Sequence, residues 1–318
     1  MKMKNRHGIG CCLPCCLVLL SQLASLPGTS TAADLSGELT VGISQRHDNL
    51  NWSIAGSTVN VLSELKWESM SITQLQTAGE IRLNNDRLLR AKLGYGVIYS
   101  GTNQDSDYNG NDRTQEFSRS FSNAGGDVLD GSISLGKRLR LLESSGRNGF
   151  YLTPFVGMSM HRQNLKMTDG VQTLSVAPYA IPLGPFPGLD SSYDANWLGP
   201  WLGAEAMIES ERGWIAKASV EYHLIDYSAS ANWNLRADLA HPVSFRHTTN
   251  GEGFVMSLGA SYPFGKNWKL DFILESLNWN TRNGSDQVFL ADGTVGHMRL
   301  NAVNWDSTAI HIGIVREF

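Results

Sequence analysis

Hydrophobic and polar residues alternate with a period of two along most of this chain. The clearest run places Trp214, Ala216, Ala218, Val220, Tyr222 and Leu224 on one side and Lys217, Ser219, Glu221 and His223 on the other. Successive side chains of a β-strand point to opposite faces, so this period predicts strands with one apolar and one polar face. The same alternation recurs from Phe254 to Phe264, from Trp268 to Glu275 and over the last strand, Asn304 to Phe318. The sequence therefore predicts an all-β fold.

The polar faces of these strands carry charges opposite many aromatic residues. A soluble β-sandwich shares the period, but it turns its apolar side inward and rarely needs charges interleaved with so many aromatics. We expect the apolar faces to meet lipid and the charged faces to fill a lumen. Six tryptophans near strand ends fit aromatic girdles at the membrane surfaces, or side chains packed inside the barrel: Trp67, Trp197, Trp214, Trp268, Trp279 and Trp305.

Short and long connections alternate between the predicted strands. Short links are expected near 84–87, 143–148, 210–213 and 264–267, and longer polar or Gly/Pro-rich segments at 49–57, 101–114, 169–191, 237–243 and 283–300. This alternation is typical of the periplasmic turns and extracellular loops of a membrane barrel. It predicts a ten-stranded antiparallel transmembrane β-barrel with strands at 34–48, 58–83, 88–101, 115–142, 149–168, 192–210, 213–236, 243–264, 268–282 and 301–318.

The first residues have the pattern of a secretory signal peptide. Three basic residues, Lys2, Lys4 and Arg6, precede an apolar run and a small-residue stretch that ends at Ala33. We therefore expect residues 1–33 to be cleaved and 34–318 to form one outer-membrane domain. All four cysteines lie within the expected signal peptide: Cys11, Cys12, Cys15 and Cys16. The mature chain is then predicted to contain no disulfide and no cysteine metal site.

Charge and hydropathy narrow the class of protein further. Without the signal peptide, 23 basic residues face 30 acidic ones, a formal charge near −7, which disfavours nucleic acid as a partner. No later apolar stretch approaches the roughly 20 residues of a membrane-spanning helix. A closed sheet is the other structure that pairs every backbone group in lipid. We expect an exported monomer in the outer membrane of a Gram-negative cell.

Local motifs carry a resemblance to known barrels. The segments Leu62 to Trp67 and Trp197 to Gly203, together with the closing strand that ends at Phe318, resemble the omptin family of outer-membrane proteases. The chain also resembles the Protochlamydia outer membrane protein family, in the segments Asp105 to Tyr108 and Ala237 to Pro242. Proteolysis is not the established role of that second family.

The omptin resemblance implies a site on two loops. Omptins use two acidic residues, spaced Asp-x-Asp, opposite an Asp-x-His pair on the fourth loop. Asp105 and Asp107 match the first element, and Asp238 and His241 are the nearest counterparts of the second. In such a site the carboxylates hold a water molecule, and a histidine oriented by an aspartate accepts its proton.

The match departs from the family in one spacing. Asp238 and His241 are separated by two residues instead of one, and in an extended segment this turns the histidine to the opposite face. A solvated loop or a calcium-binding turn explains Asp105 and Asp107 equally simply. A capped turn explains Asp238 and His241, and His247 is an alternative base or a polar residue of the lumen.

Three functions are consistent with these observations. The first is an omptin-like endopeptidase, the second a non-proteolytic barrel serving as a narrow porin or structural protein, and the third a surface adhesin that uses the proline-rich third loop. We expect no cofactor or metal. The omptin resemblance implies lipopolysaccharide as a partner and an activator, with Arg236, Arg246 and Arg282 as candidate contacts to its phosphates.

Overall fold

In the part of the chain that the structure describes, twelve antiparallel strands form one sheet that closes on itself. The computed structural model describes residues 36–143, 149–177 and 181–318, so the expected signal peptide, residues 1–33, lies outside the described residues. The strands are β1 (Ser36–Ala55), β2 (Ser63–Leu83), β3 (Arg87–Tyr108), β4 (Glu116–Lys137), β5 (Leu139–Glu143), β6 (Gly149–Ser175), β7 (Gly184–Glu209), β8 (Ile215–Asn232), β9 (Phe245–Gly265), β10 (Trp268–Thr281), β11 (Gly284–Phe289) and β12 (Val295–Glu317).

The first and last strands close the ring. Residues 38–55 of β1 pair with residues 299–317 of β12, and each of the other long strands pairs with the next long strand in the chain. The predicted fold class is confirmed. The strand count differs from the predicted ten because β5 and β11 are short continuations of β4 and β10, each separated from the longer strand by one or two residues. Strand β5 pairs with β6, and β11 pairs with both β9 and β12.

Several strands run farther toward the long loops than the sequence predicts. The predicted loop at 169–191 is mostly strand, since β6 continues to Ser175 and pairs with β7 as far as Gln172–Gly184. The pairing of β7 with β8 ends earlier, at Ser192–Asn232. Pro185 and Pro187 therefore lie in an edge segment of β7, where proline is tolerated because no ladder hydrogen bond to a second neighbour is lost.

Large apolar side chains form a belt around the outside of the barrel. Members of this apolar belt are at least 41% exposed and include Ile43, Leu75, Leu93, Val97, Ile133, Leu135, Val156, Leu202, Val220, Leu258, Phe272, Ile310 and Ile312. We call the end with the short turns the turn end and the other the loop end. Within the described ranges, no helix is long and apolar enough to cross a membrane.

Aromatic rings fill the barrel on the loop side of this belt. Trp197, Trp279 and Trp305 are at most 1% exposed, and their ring centroids lie 5.2–5.8 Å apart. His161 meets Trp279 and Trp305 edge-on at 4.8 and 5.5 Å. Because Trp197 is on β7 and its partners are on β10 and β12, this aromatic layer spans the lumen. Of the six tryptophans considered for a girdle, Trp67 also lies inside, whereas Trp214 and Trp268 are exposed.

Ion pairs and a small cavity occupy the lumen within the belt. The ion-pair groups are Arg46 with Asp48 and Asp130, Arg90 with Glu80 and Glu205, and Lys269 with Glu38 and Glu317. His223 and His311 line the same cavity, whose volume is about 230 Å³. The lumen of the barrel is thus polar within the apolar belt and aromatic toward the loop end.

Truncation of the aromatic layer should be costly. We expect Trp279→Ala to lower the free energy of unfolding by about 3 kcal/mol, because it removes a fully buried ring and leaves a cavity among three neighbours. Urea unfolding of the refolded barrel in detergent measures this. Trp214→Ala, at a 44% exposed site outside the barrel, is the control and should cost much less. Equal losses in the two variants would contradict this account of the layer.

Candidate functional site

Asp105 and Asp107 lie on a strand and not on a loop. They belong to the loop end of β3, where Asp105 pairs with Leu65 and Asp107 with Ser63 on β2. Leu65 is fully buried in the barrel core, and paired residues of adjacent strands point to the same face. Both carboxyl groups therefore point inward, and both residues are half-buried.

A bulge produces this inward orientation. In the apolar belt the odd-numbered residues of β3, such as Tyr95 and Val97, point outward. The register shifts between Glu68 and Ser71 of β2, and between Ile98 and Thr102 of β3. An extra residue in a strand reverses the faces that follow it, so Asp105 and Asp107 turn into the barrel.

The two carboxyl groups have unusual electrostatics. Burial raises the pKa of Asp105 well above its ordinary value, and the nearby charge of Asp107 raises it further. Burial also raises the pKa of Asp107, although hydrogen bonds from Ser63 and Ser118 oppose this. Arg236 lowers the pKa of both carboxyl groups. The pair thus favours a protonated form more than free aspartates do.

The group that the fourth loop directs toward this pair is a guanidinium. Arg236 lies in the segment between β8 and β9 and binds Asp238 through two hydrogen bonds of 2.8 and 2.7 Å. This contact lowers the pKa of Asp238, which is exposed. A carboxylate paired in this way with arginine is occupied by two donors and is not free to orient a histidine.

His241 has a different partner from the one that the sequence predicts. Its Nδ1 atom lies 2.7 Å from Oδ1 of Asn232, and the side chain is exposed. Among the contacts of the described residues, no hydrogen bond or ion pair joins His241 to Asp238. The structure therefore brings together Asp105, Asp107, Arg236 and Asp238, while the catalytic roles of the predicted residues stay a prediction.

A second polar group lies deeper and was only partly visible in the sequence. The Tyr193 hydroxyl is 2.8 Å from Nδ1 of His247 and 2.7 Å from the Tyr227 hydroxyl. Nε2 of His247 lies 3.4 Å from Oδ1 of Asp286. These four residues come from β7, β8, β9 and β11, so no local motif signals them.

Burial gives this second group a structural role. His247 and Asp286 are 0% and 1% exposed, and the rings of Trp52 and Phe245 cover His247 at 4.8 and 5.1 Å. A substrate cannot reach a base that is enclosed in this way. The interpretation of His247 as a polar residue of the barrel interior agrees with these contacts.

The donor set at the loop end limits its chemistry. In the described part of the chain, no group of three or more His, Cys, Asp or Glu side chains is arranged to hold a metal ion. Arg236 remains protonated at any physiological pH, so it cannot accept a proton from water. The cluster of Asp105, Asp107, Arg236 and Asp238 therefore combines one fixed cation with three carboxyl groups.

Comparison with solved structures identifies the architecture. The outer membrane protease OmpT from Escherichia coli superposes with a TM-score of 0.69 at 13% sequence identity, covering 92% of this chain and 99% of that one. The translocator domain of the autotransporter NalP from Neisseria meningitidis gives a TM-score of 0.37 at 12% identity, covering 96% and 94%. At these identities the likeness to OmpT shows a shared barrel fold only.

Comparison of sequences identifies the family. No curated protein matches this chain. The profile of the Protochlamydia outer membrane protein family matches residues 38–318, which includes every strand from β2 onward and nearly all of β1. With an omptin-like barrel, a continuous apolar belt and this match over most of its length, the chain is an outer-membrane β-barrel that belongs to the Protochlamydia outer membrane protein family.

Proposed function

We propose that this protein is a structural barrel of the outer membrane that displays its loops at the cell surface and neither conducts solutes nor cleaves peptides. The aromatic layer is the observation that carries the proposal. Trp279 and Trp305, which pair directly on the neighbouring strands β10 and β12, meet Trp197 of the distant strand β7 inside the ring, and each is at most 1% exposed. Since β5 and β11 continue β4 and β10, ten strand positions form the ring, and the interior of a barrel of this size can be filled by side chains. Here the three tryptophan rings fill it on the loop side of the belt.

The loop end supports the same proposal. A peptidase of the omptin type needs a histidine that an aspartate orients and that faces the carboxylate pair. Here Arg236 binds Asp238, and Asn232 binds His241. Neither partner can substitute for the missing contact, because arginine does not give up its proton and the amide of asparagine carries no charge.

The second candidate is the omptin-like endopeptidase. It is favoured by one observation, the inward-facing pair of Asp105 and Asp107 with raised pKa values. If a substrate displaced Arg236 from Asp238, this pair would hold a water molecule and Asp238 would be free to orient His241. This candidate requires that rearrangement, whereas the structural barrel requires none.

Lipopolysaccharide is proposed as the surrounding lipid of the outer leaflet and not as an activator. Two of the three arginines considered as phosphate contacts are engaged in ion pairs, Arg236 with Asp238 and Arg282 with Glu252. Arg246 lies over the ring of Phe289 at 5.5 Å. A phosphate would have to compete with these partners.

We expect no channel activity from the refolded barrel. In a planar lipid bilayer the protein should show no stable conductance steps, because the aromatic layer blocks the lumen. The variant Trp279→Ala combined with Trp305→Ala is the comparison, since it removes two of the three rings; its folded fraction, separated by heat-modifiable migration on gels, is expected to admit small ions. Uniform conductance steps from the unaltered protein would overturn the proposal.

We also expect no peptide cleavage. The refolded protein in detergent with lipopolysaccharide is incubated with a mixed peptide pool, and the products are followed by mass spectrometry. Cleavage should not exceed that of the double variant Asp105→Ala and His241→Ala. Cleavage by the unaltered protein that this variant lacks would instead establish the endopeptidase.

The raised pKa of Asp105 gives a stability prediction with a definite sign. The stabilising contribution of such a group is complete below its unfolded pKa of about 3.9 and is lost as the pH rises through the folded pKa. Asp105→Asn should therefore raise the free energy of unfolding at pH values near neutrality, and should have little effect on it below about pH 3.9.

Urea unfolding at the two pH values measures this effect. Asp190→Asn, at an exposed position of β7, is the matched control and should change stability little at either pH. The same effect of Asp105→Asn at both pH values would show that the carboxyl group is not held in an unfavourable environment.

A further inference from the structure

Two cations face each other at the turn end of the barrel. Arg87 is the first residue of β3 and Lys137 the last residue of β4, and the register pairs them directly. Like charges at directly opposite positions of adjacent strands destabilise a sheet. Both side chains are exposed. The pair therefore has a cost in the isolated barrel that an anion would relieve.

Both side chains point toward lipid. Arg87 has the parity of Leu93 and Tyr95 on β3, which are 54% and 53% exposed in the apolar belt. Lys137 has the parity of Ile133 and Leu135 on β4, which are 54% and 55% exposed. Lys137 is thus the next outward-facing position after Leu135, and Arg87 is the outward-facing position at the turn end of β3, beyond Ala91 and Leu89.

Several basic residues near the turn end have partners. Arg138 binds Glu80, Lys269 binds Glu38 and Glu317, and Arg316 lies over the ring of Trp268 at 5.2 Å. Among the described residues, no ion pair of 4.0 Å or less involves Arg87 or Lys137. The two cations therefore form an uncompensated site at the edge of the belt.

The surrounding residues supply the rest of a lipid site. Leu83 and Leu139 are both 38% exposed near the pair, and Leu135 lies one outward position farther into the belt. Leu135 and then Ile133, which lead from Lys137 into the belt, offer an apolar surface to an acyl chain that continues from a headgroup held by the cations, while Leu83 and Leu139 flank the headgroup. An arginine and a lysine together give a phosphate a planar fork of donors and a point charge.

The opposite border of the belt has a different charge. Its outward-facing positions carry several carboxylates, of which Asp194 pairs with Arg162 and Glu252 with Arg282: Asp127, Asp194, Asp226, Glu252 and Asp306. Short turns face the periplasm in barrels of this kind, so the cationic pair lies at the level of the inner leaflet, whose lipids are phospholipids. The uncompensated cations are therefore near phospholipid headgroups and far from lipopolysaccharide.

We propose that Arg87 and Lys137 form a binding site for the phosphate of an anionic phospholipid in the inner leaflet of the outer membrane. The headgroup phosphate lies between the guanidinium and the ammonium group, and an acyl chain follows Leu135 and Ile133 along the barrel wall. The site requires only the barrel and the orientation of its turn end. It is independent of whether the loop end has an enzymatic role.

Lipid retention by the whole mature barrel tests this proposal. The protein is refolded, loaded with equal amounts of phosphatidylglycerol and phosphatidylethanolamine of the same acyl chains, delipidated in steps and examined by native mass spectrometry. Retained phosphatidylglycerol should fall roughly tenfold or more in the double variant Arg87→Gln and Lys137→Gln, as expected when two cations are lost near an anionic lipid. Phosphatidylethanolamine should change little.

Arg316→Gln is the matched control. It removes a cation at the same end of the barrel that already lies over an aromatic ring, so phosphatidylglycerol retention should stay near that of the unaltered protein. A second arm adds inorganic phosphate at the concentration of the lipid, which should not displace it because the acyl contacts are absent. Equal loss in Arg316→Gln would show a general charge effect, and displacement by free phosphate an anion site without a lipid. Either result would overturn the proposal.

Folding of the variants is followed separately by heat-modifiable migration on gels. In neutral detergent without anionic lipid, the double variant should be at least as stable as the unaltered protein, because it has lost a repulsive pair. The single variants Arg87→Gln and Lys137→Gln are each expected to lose part of the retention. Unchanged phosphatidylglycerol retention in the folded double variant, or in both folded single variants, would reject the site.

Discussion

The structure depends on the pairing of β1 with β12. In hydrocarbon there is no water to satisfy an exposed backbone amide or carbonyl group, so a sheet in the membrane must have no free edge. The ladder from 38–55 to 299–317 joins the two ends of the chain and removes that edge. The outward period of two then gives an apolar belt, because one face of each strand meets lipid. The side chains of the inward-facing positions have to fill the space that the ring encloses.

The ring fills that space in two ways. Within the belt, the interior carries Arg46, Arg90 and Lys269, each bound to two carboxylates. Toward the loops it carries interlocking rings, with the guanidinium of Arg46 over Trp305 at 5.3 Å where the two zones meet. Such an interior favours a rigid support over a passage. The same rigidity presents Asp105 and Asp107 to a loop whose arginine already has a carboxylate partner.

The alternation of side chains was sufficient to predict the fold class, the lipid-facing strands and the polar lumen, because all three follow from a local period. It could not predict which tryptophans lie inside. Trp197 and Trp214 were both predicted near strand ends, but Trp197 packs inside the barrel and Trp214 faces outward, since the packing of Trp197 depends on strands far apart in the chain. The inward turn of Asp105 depends on a bulge that no residue type marks. The hydrogen bonds from Arg236 to Asp238 and between Asn232 and His241 form only when the chain folds. The sequence could therefore nominate Asp238 and His241 but could not show which residues bind them.

The edge segment of β7 has a consequence for the crowded surface of the cell. An open strand edge at such a surface invites a neighbouring chain to add a strand, and barrels packed side by side would then join into aggregates. Pro185 and Pro187 offer no amide hydrogen there, and the side chain of Asn234 occupies the carbonyl of Gly188 and the amide of Asp190. The hairpin of β6 and β7 can therefore extend beyond the membrane without offering its edge to a strand of a neighbouring barrel.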